Sequence, residues 1–110
     1  MYKYGQYCPI AKAVEILGDR WTLLIVRDLL TGTCHFNELE RGLPGISRGL
    51  LAERLRRLQE MGIVVKRVGG NGRHRTSYQL TESGRELQSV IQSLLVWELN
   101  GRLRNPTKKI

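Results

Sequence analysis

From Ser47 to Arg57 the chain reads Ser-Arg-Gly-Leu-Leu-Ala-Glu-Arg-Leu-Arg-Arg, and further on Arg73, His74 and Arg75 follow a run with glycine at 69, 70 and 72. These side chains bind rather than catalyse. A guanidinium offers parallel donors that match guanine N7 and O6 or a phosphate. A serine oxygen at a helix start can cap the helix and also touch phosphate. Cations on a glycine-rich loop suit the narrow, negative minor groove of a duplex or its phosphate walls. Catalytic groupings are missing by comparison. His35 and His74 fall on expected loops far apart, with no nucleophile elbow, phosphate loop or metal spacing near them, so no enzyme, cofactor or metal site is expected.

The polar positions need a scaffold, and the apolar spacing supplies one. Pro9 suits a first helical turn, and Ile10, Ala13, Val14 and Leu17 recur at helical spacing until Gly18. Asp19 is a good N-cap for a second helix from Arg20 to about Leu30, apolar on nearly every side and therefore central to the core. A short third helix, about Phe36 to Gly42, carries Phe36, Leu39 and Leu43. After the turn Leu43-Pro44-Gly45-Ile46, Ser47 caps a fourth helix that runs to about Met61 with Gly62 beyond its end.

In that fourth helix Leu51, Leu55 and Leu58 form the buried stripe. The opposite side collects Gly49, Glu53, Arg56 and Glu60, with Arg48, Ala52 and Arg57 towards the flanks. Ser47, Arg48, Gly49, Ala52, Glu53, Arg56 and Arg57 are therefore the candidate contacts of a reading helix. Arg48, Gly49, Ala52, Glu53 and Arg56 are placed at base edges, and Arg54 and Arg57 at phosphates or in surface ion pairs.

Residues 63–68 and 76–80 have strand character and flank the basic loop, so 63–80 reads as a hairpin with Arg73, His74 and Arg75 at its tip. Thr81 can cap a last helix, Glu82 to about Leu103, whose Leu87, Val90, Ile91, Leu94, Leu95 and Leu99 repeat at a near-heptad period. This order is that of a winged helix-turn-helix: mainly α with a small β-hairpin, an α+β class. The expectation is one domain over 1–110, with the helix-turn-helix at about 36–61, the wing at about 63–80 and the last helix at about 82–103.

Composition narrows the partners. With 18 Lys and Arg against 10 Asp and Glu the formal charge is +8, which favours a polyanion. Duplex DNA is the first candidate, and a winged-helix module that binds RNA or a protein partner is the rival. The longest strongly apolar run, Trp21 to Val26, is too short for a membrane span, and no signal peptide is evident, so a cytoplasmic protein with no membrane partner is expected. Two cysteines, Cys8 and Cys34, make neither a disulfide framework nor a metal site.

From Cys8 to Trp97 the sequence resembles the HxlR family of bacterial winged-helix regulators, neighbours of the MarR and PadR types. The motifs that carry this are Cys8-Pro9-Ile10, Leu17-Gly18-Asp19-Arg20-Trp21-Thr22-Leu23-Leu24-Ile25, Phe36-Asn37-Glu38-Leu39, Leu43-Pro44-Gly45-Ile46-Ser47, Leu50-Leu51-Ala52-Glu53-Arg54-Leu55 and Tyr78-Gln79-Leu80-Thr81-Glu82-Ser83-Gly84. The resemblance implies transcriptional regulation, more often repression, at a palindromic operator. It also implies a homodimer joined through the N-terminal region and the last helix. The apolar stripe agrees, and Val90, Ile91, Leu94, Leu95 and Trp97 are the expected dimer contacts, since it exceeds what a small winged helix can cover. Some similar proteins use an N-terminal cysteine before proline to sense oxidants or electrophiles, which points to Cys8 and to an oxidant or unidentified small-molecule effector.

Overall fold

The computed structural model describes residues 8–69 and 76–104, with side chains as far as residue 101. In chain order the elements are α1 (Pro9–Leu17), α2 (Thr22–Leu30), α3 (Phe36–Arg41), α4 (Arg48–Glu60), β1 (Val64–Arg67), β2 (Ser77–Leu80), α5 (Glu82–Arg85) and α6 (Leu87–Arg104). No helix among the described residues is long and apolar enough to cross a membrane.

The core gathers one apolar face from each central element. Ile25, Val26 and Leu29 come from α2, Leu39 from α3, and Leu51, Leu55 and Leu58 from α4. The α3–α4 turn adds Leu43 and Ile46, and the hairpin closes the base with Ile63, Val64, Tyr78 and Leu80. Strands β1 and β2 pair antiparallel, Val64 opposite Leu80 and Arg67 opposite Ser77. Opposed residues share a face, so Val64 and Leu80 reach the core together while Val65 and Gln79 face water. The hairpin is tied to the entry of α3 by the Tyr78 N–H, which donates to Cys34 O at 2.8 Å. His35 Nδ1 lies 3.0 Å from Thr76 O, and because a carbonyl can only accept, the proton sits on Nδ1.

Caps fix where helices start. Leu50 N donates to Ser47 Oγ at 3.0 Å and Gly84 N to Thr81 Oγ1 at 3.1 Å, as expected of a serine and a threonine at those positions. Helix α2 differs from its expected start at Arg20. It begins at Thr22, and Asp19 still serves it, accepting from Trp21 N at 2.8 Å and Thr22 N at 3.0 Å.

The last helix is divided, not continuous from Glu82. The single turn α5 is pinned to the hairpin, where Thr81 Oγ1 donates to Gly62 O at 2.7 Å. Gly84 lies so close to Ile63 O that a Cβ there would sit 2.4 Å from that oxygen. Helix α6 then leaves from Leu87, and among its described apolar side chains only Leu87 and Ile91 pack against the chain's own core.

Candidate nucleic-acid interface

Helix α4 is held from beneath. Leu51, Leu55 and Leu58 are almost wholly buried, which turns Arg48, Gly49, Ala52 and Arg56 outward, all exposed, with Ser47 at the same end. Gly49 and Ala52 leave the surface between the arginines low, so a nucleic-acid edge can approach the backbone. Arg56 is bridged along the helix to Glu60 at 2.8 Å and lies 3.7 Å from Glu53. Exposed i,i+4 pairs of this kind contribute little to stability and are readily exchanged for another anion.

The remaining arginines of α4 are tied to other elements. Arg48 Nη1 donates to Glu40 Oε1 at 2.6 Å and to Asn37 Oδ1 at 3.1 Å, both on α3. Its guanidinium carbon stands 4.7 Å from the centroid of the Phe36 ring, a cation–π distance. Arg57 points the other way: it donates to Glu15 O near the end of α1 and approaches Asp19 Oδ2 at 3.8 Å. Arg54 Nε is 3.4 Å from Asp19 Oδ1. Burial pushes the Asp19 carboxyl up, but hydrogen bonds from the Thr22 side chain and the Trp21 and Thr22 N–H groups, with the charge of Arg54, outweigh it and hold it below the ordinary 3.8. Glu53 bonds Arg54 and so lies at the flank of the outward face.

The structure thus brings Ser47, Arg48, Gly49, Ala52 and Arg56 onto one exposed side of α4, sets Glu53 beside them and directs Arg57 to α1. Arg73, His74 and Arg75 lie outside the described residues. On β1, Lys66 and Arg67 are exposed, and Arg67 Nε donates across the hairpin to Gln79 Oε1 at 3.0 Å.

Two further features lie apart from α4. Cys8 is exposed and caps α1, its sulfur accepting from Ala11 N at 3.4 Å. On α6, Val90, Leu94, Leu95 and Trp97 are exposed, Trp97 by 66%, whereas Ile91 is partly buried on the chain's own core. Ser89, Val90, Ser93, Leu94 and Trp97 line an open groove of about 630 Å³.

A family model described as HxlR-like helix-turn-helix matches residues 16–104. The chain belongs to that family. It is 41% identical over 88 residues to the uncharacterized HTH-type transcriptional regulator MT3179 of Mycobacterium tuberculosis, covering 80% of this chain but only 55% of that protein. With the HTH-type transcriptional regulator YodB of Bacillus subtilis the identity is 38% over 91 residues, 82% of this chain and 81% of YodB. The reduced form of YodB superposes with a TM-score of 0.79 at 35% identity, over 92% of this chain and 98% of that one. The redox regulator HypR in its reduced form gives a TM-score of 0.80 at 28% identity, over 86% and 94% of the two chains. The relatives named here are regulators of transcription and the solved neighbours share the winged-helix fold.

The sequence of this HxlR-like chain left one set of residues without a role and a second, though placed on the first helix, without its exposure recognised. Asn37 and Glu40 hold Arg48 from the neighbouring helix, a pairing across two elements that no single-helix periodicity expresses. On α1, Ile10 and Val14 remain exposed. Their i,i+4 spacing was the available signal, since it marks an apolar stripe that this helix does not bury.

Proposed function

We propose that the chain is a sequence-specific, cytoplasmic DNA-binding transcriptional regulator, most simply a repressor, that binds an inverted repeat as a homodimer. Helix α4 enters the major groove, with Arg48 and Arg56 at base edges and Ser47 near phosphate. The hairpin follows the flanking backbone and carries Arg73, His74 and Arg75 to the minor groove or its phosphates. The single observation that carries the reading is the division of α4: one face fully buried in the core, the other free of large apolar side chains and bearing arginine, glycine and alanine. Val90, Leu94, Leu95 and Trp97 join two copies, with Ile91 at the edge of that contact. Cys8, exposed at the start of α1, makes the regulator responsive to oxidants, a role supported by its likeness to HypR, named as a redox regulator.

In a two-fold dimer the paired helices meet successive major grooves, so half-site centres should lie about 34 Å apart. The test is selection of duplexes from a randomised pool, followed by affinity at several salt concentrations. The Arg73→Ala/Arg75→Ala chain should bind all duplexes more weakly and with a log–log salt slope flatter by roughly two units. Arg56→Ala should instead alter the ranking of single-base variants. Failure to enrich any duplex, or tighter binding to RNA, would falsify the proposal. The thiol role is tested by treating the wild type and Cys8→Ser with diamide, which should weaken operator binding only in the wild type.

A further inference from the structure

We infer that Asn37, Glu40 and Phe36 of α3 are positioning residues for Arg48, holding its guanidinium so that a single edge faces outward and α4 can recognise guanine with it. The inference rests on the proposed reading of α4 as the DNA-facing helix and deepens it.

An arginine has five N–H donors, two on each Nη and one on Nε. Glu40 and Asn37 are both bound by the same atom, Nη1, and two acceptors exhaust its two hydrogens. Two parallel donors can come from the Nη1–Nη2 end or from the Nε–Nη2 side. With Nη1 occupied the end-on edge is lost, and among the described residues nothing accepts from Nε or Nη2 of Arg48. Phe36 fixes the remaining freedom, because a ring 4.7 Å from the guanidinium carbon limits rotation about the long side chain. The result is a planar donor pair on the Nε–Nη2 side, set before any duplex arrives, and guanine N7 and O6 are the acceptor pair of the major groove that matches it.

The carboxylate of Glu40 has a second consequence. Arg48 and Glu40 together carry no net charge, so this arginine has little general attraction for phosphate and depends on directional hydrogen bonds. An unpaired arginine in the same place would bind any backbone and add to the salt dependence. Pairing with α3 therefore converts a non-specific cation into a selective donor, at a site where preorganisation lowers the entropy lost on binding. Arg56 offers a contrast on the same face, since its partners Glu53 and Glu60 lie along its own helix and no ring stacks on it among the described residues.

The experiment uses the full chain and the duplex enriched from a randomised pool. Affinities are measured for that duplex, for versions with each G·C pair changed to A·T, and for a scrambled duplex, with salt varied. Arg48→Ala should lose a preference of about five- to 150-fold for one G·C pair in each half-site, the span of one bidentate base contact. Glu40→Ala and Asn37→Ala should lose most of that same preference while keeping Arg48. Glu40→Ala should also bind the scrambled duplex more tightly, with a salt slope steeper by about one unit. Glu40→Gln retains an acceptor for Nη1 and should keep most of the preference.

Several outcomes overturn the inference. If Glu40→Ala tightened binding to every duplex by one factor with the ranking intact, Glu40 would be an internal competitor for Arg48. An unchanged affinity, ranking and slope would make the pair idle, and equal loss in Glu40→Gln and Glu40→Ala would remove the geometric argument. Should Arg48→Ala itself leave the ranking untouched, the placement of Arg48 at a base edge fails, and the role of α3 with it. Loss of preference in Arg48→Ala but not in the α3 variants would defeat the positioning role alone.

Discussion

Helices α4 and α6 are both long and both rich in leucine, yet their surroundings differ completely. In α4 the apolar side chains lie on one stripe, and Leu51, Leu55 and Leu58 are at most 1% exposed. In α6 they are spread around the axis, and Leu94, Leu95, Val96, Trp97 and Leu99 are each about half exposed or more. A helix with one apolar stripe needs one neighbour, whereas apolar residues on several sides call for more than one. The described residues supply the neighbour of α4 and cover only the Leu87 and Ile91 side of the described part of α6. Among the described residues, the helix-turn-helix thus has its apolar face covered, and the last helix has most of its apolar side chains uncovered.

The sharpest way to break this contrast is to cut into each helix in turn. Leu55→Ala should lower the unfolding free energy by about 2–5 kcal/mol, the cost of a cavity under the reading helix, seen as a reduced urea midpoint at any protein concentration. Trp97→Ala should behave differently. It should weaken self-association by about 2–4 kcal/mol in sedimentation, the range of an interface hot spot. In wild type the melting temperature should rise with protein concentration, and this variant should flatten that rise. Equal losses of monomer stability in the two variants at high dilution would show that α6 is covered from within.

The joint between the two regions comes next. Gly84→Ala places a methyl group where Ile63 O already stands, 2.4 Å away, and backbone cannot swing aside as a side chain would. The expected loss is about 1–3 kcal/mol, with weakened amide-exchange protection in β1 and α5. Wild-type protection there would show that the contact relaxes freely.

The smallest effect belongs to Asp19, which joins α2 to α4 through Arg54 and Arg57. Its folded carboxyl titrates below the ordinary 3.8, so its stabilising contribution is fully present above that value and disappears as pH falls through the lower folded one. The stability difference between wild type and Asp19→Asn should therefore be widest near neutrality and close below about pH 3.8. A difference that persisted at lower pH would mean that shape, not charge, matters at this position.

Local features were legible because their causes are local. Ser47 and Thr81 cap as serine and threonine do, and the spacing of Leu51, Leu55 and Leu58 defined both the inner and the outer face of α4. The element order identified the fold class, and independent motifs identified the family. What escaped were contacts between distant segments. Arg57 was expected at phosphates or in surface ion pairs, but nothing in the sequence named its partners, Asp19 and the Glu15 O that lies 42 residues away. The break between α5 and α6 and the close approach of Gly84 to Ile63 O are likewise contained in no heptad count. Arg48 was placed at a base edge from the geometry of its own helix, which could not show that Asn37 and Glu40 of α3 hold it.

The sequence by itself determined the order of helices and strands, the buried face of α4 and that the chain is a cationic winged helix of the HxlR-like family, because these follow from spacing, capping and charge within short windows. Only the tertiary structure decided which arginines face outward, which are tied to α1 or α3, and which apolar side chains of α6 are left uncovered. Those outcomes depend on how elements meet in space, and a guanidinium on a long flexible stem takes its partner from whichever carboxylate or carbonyl the packing brings within reach.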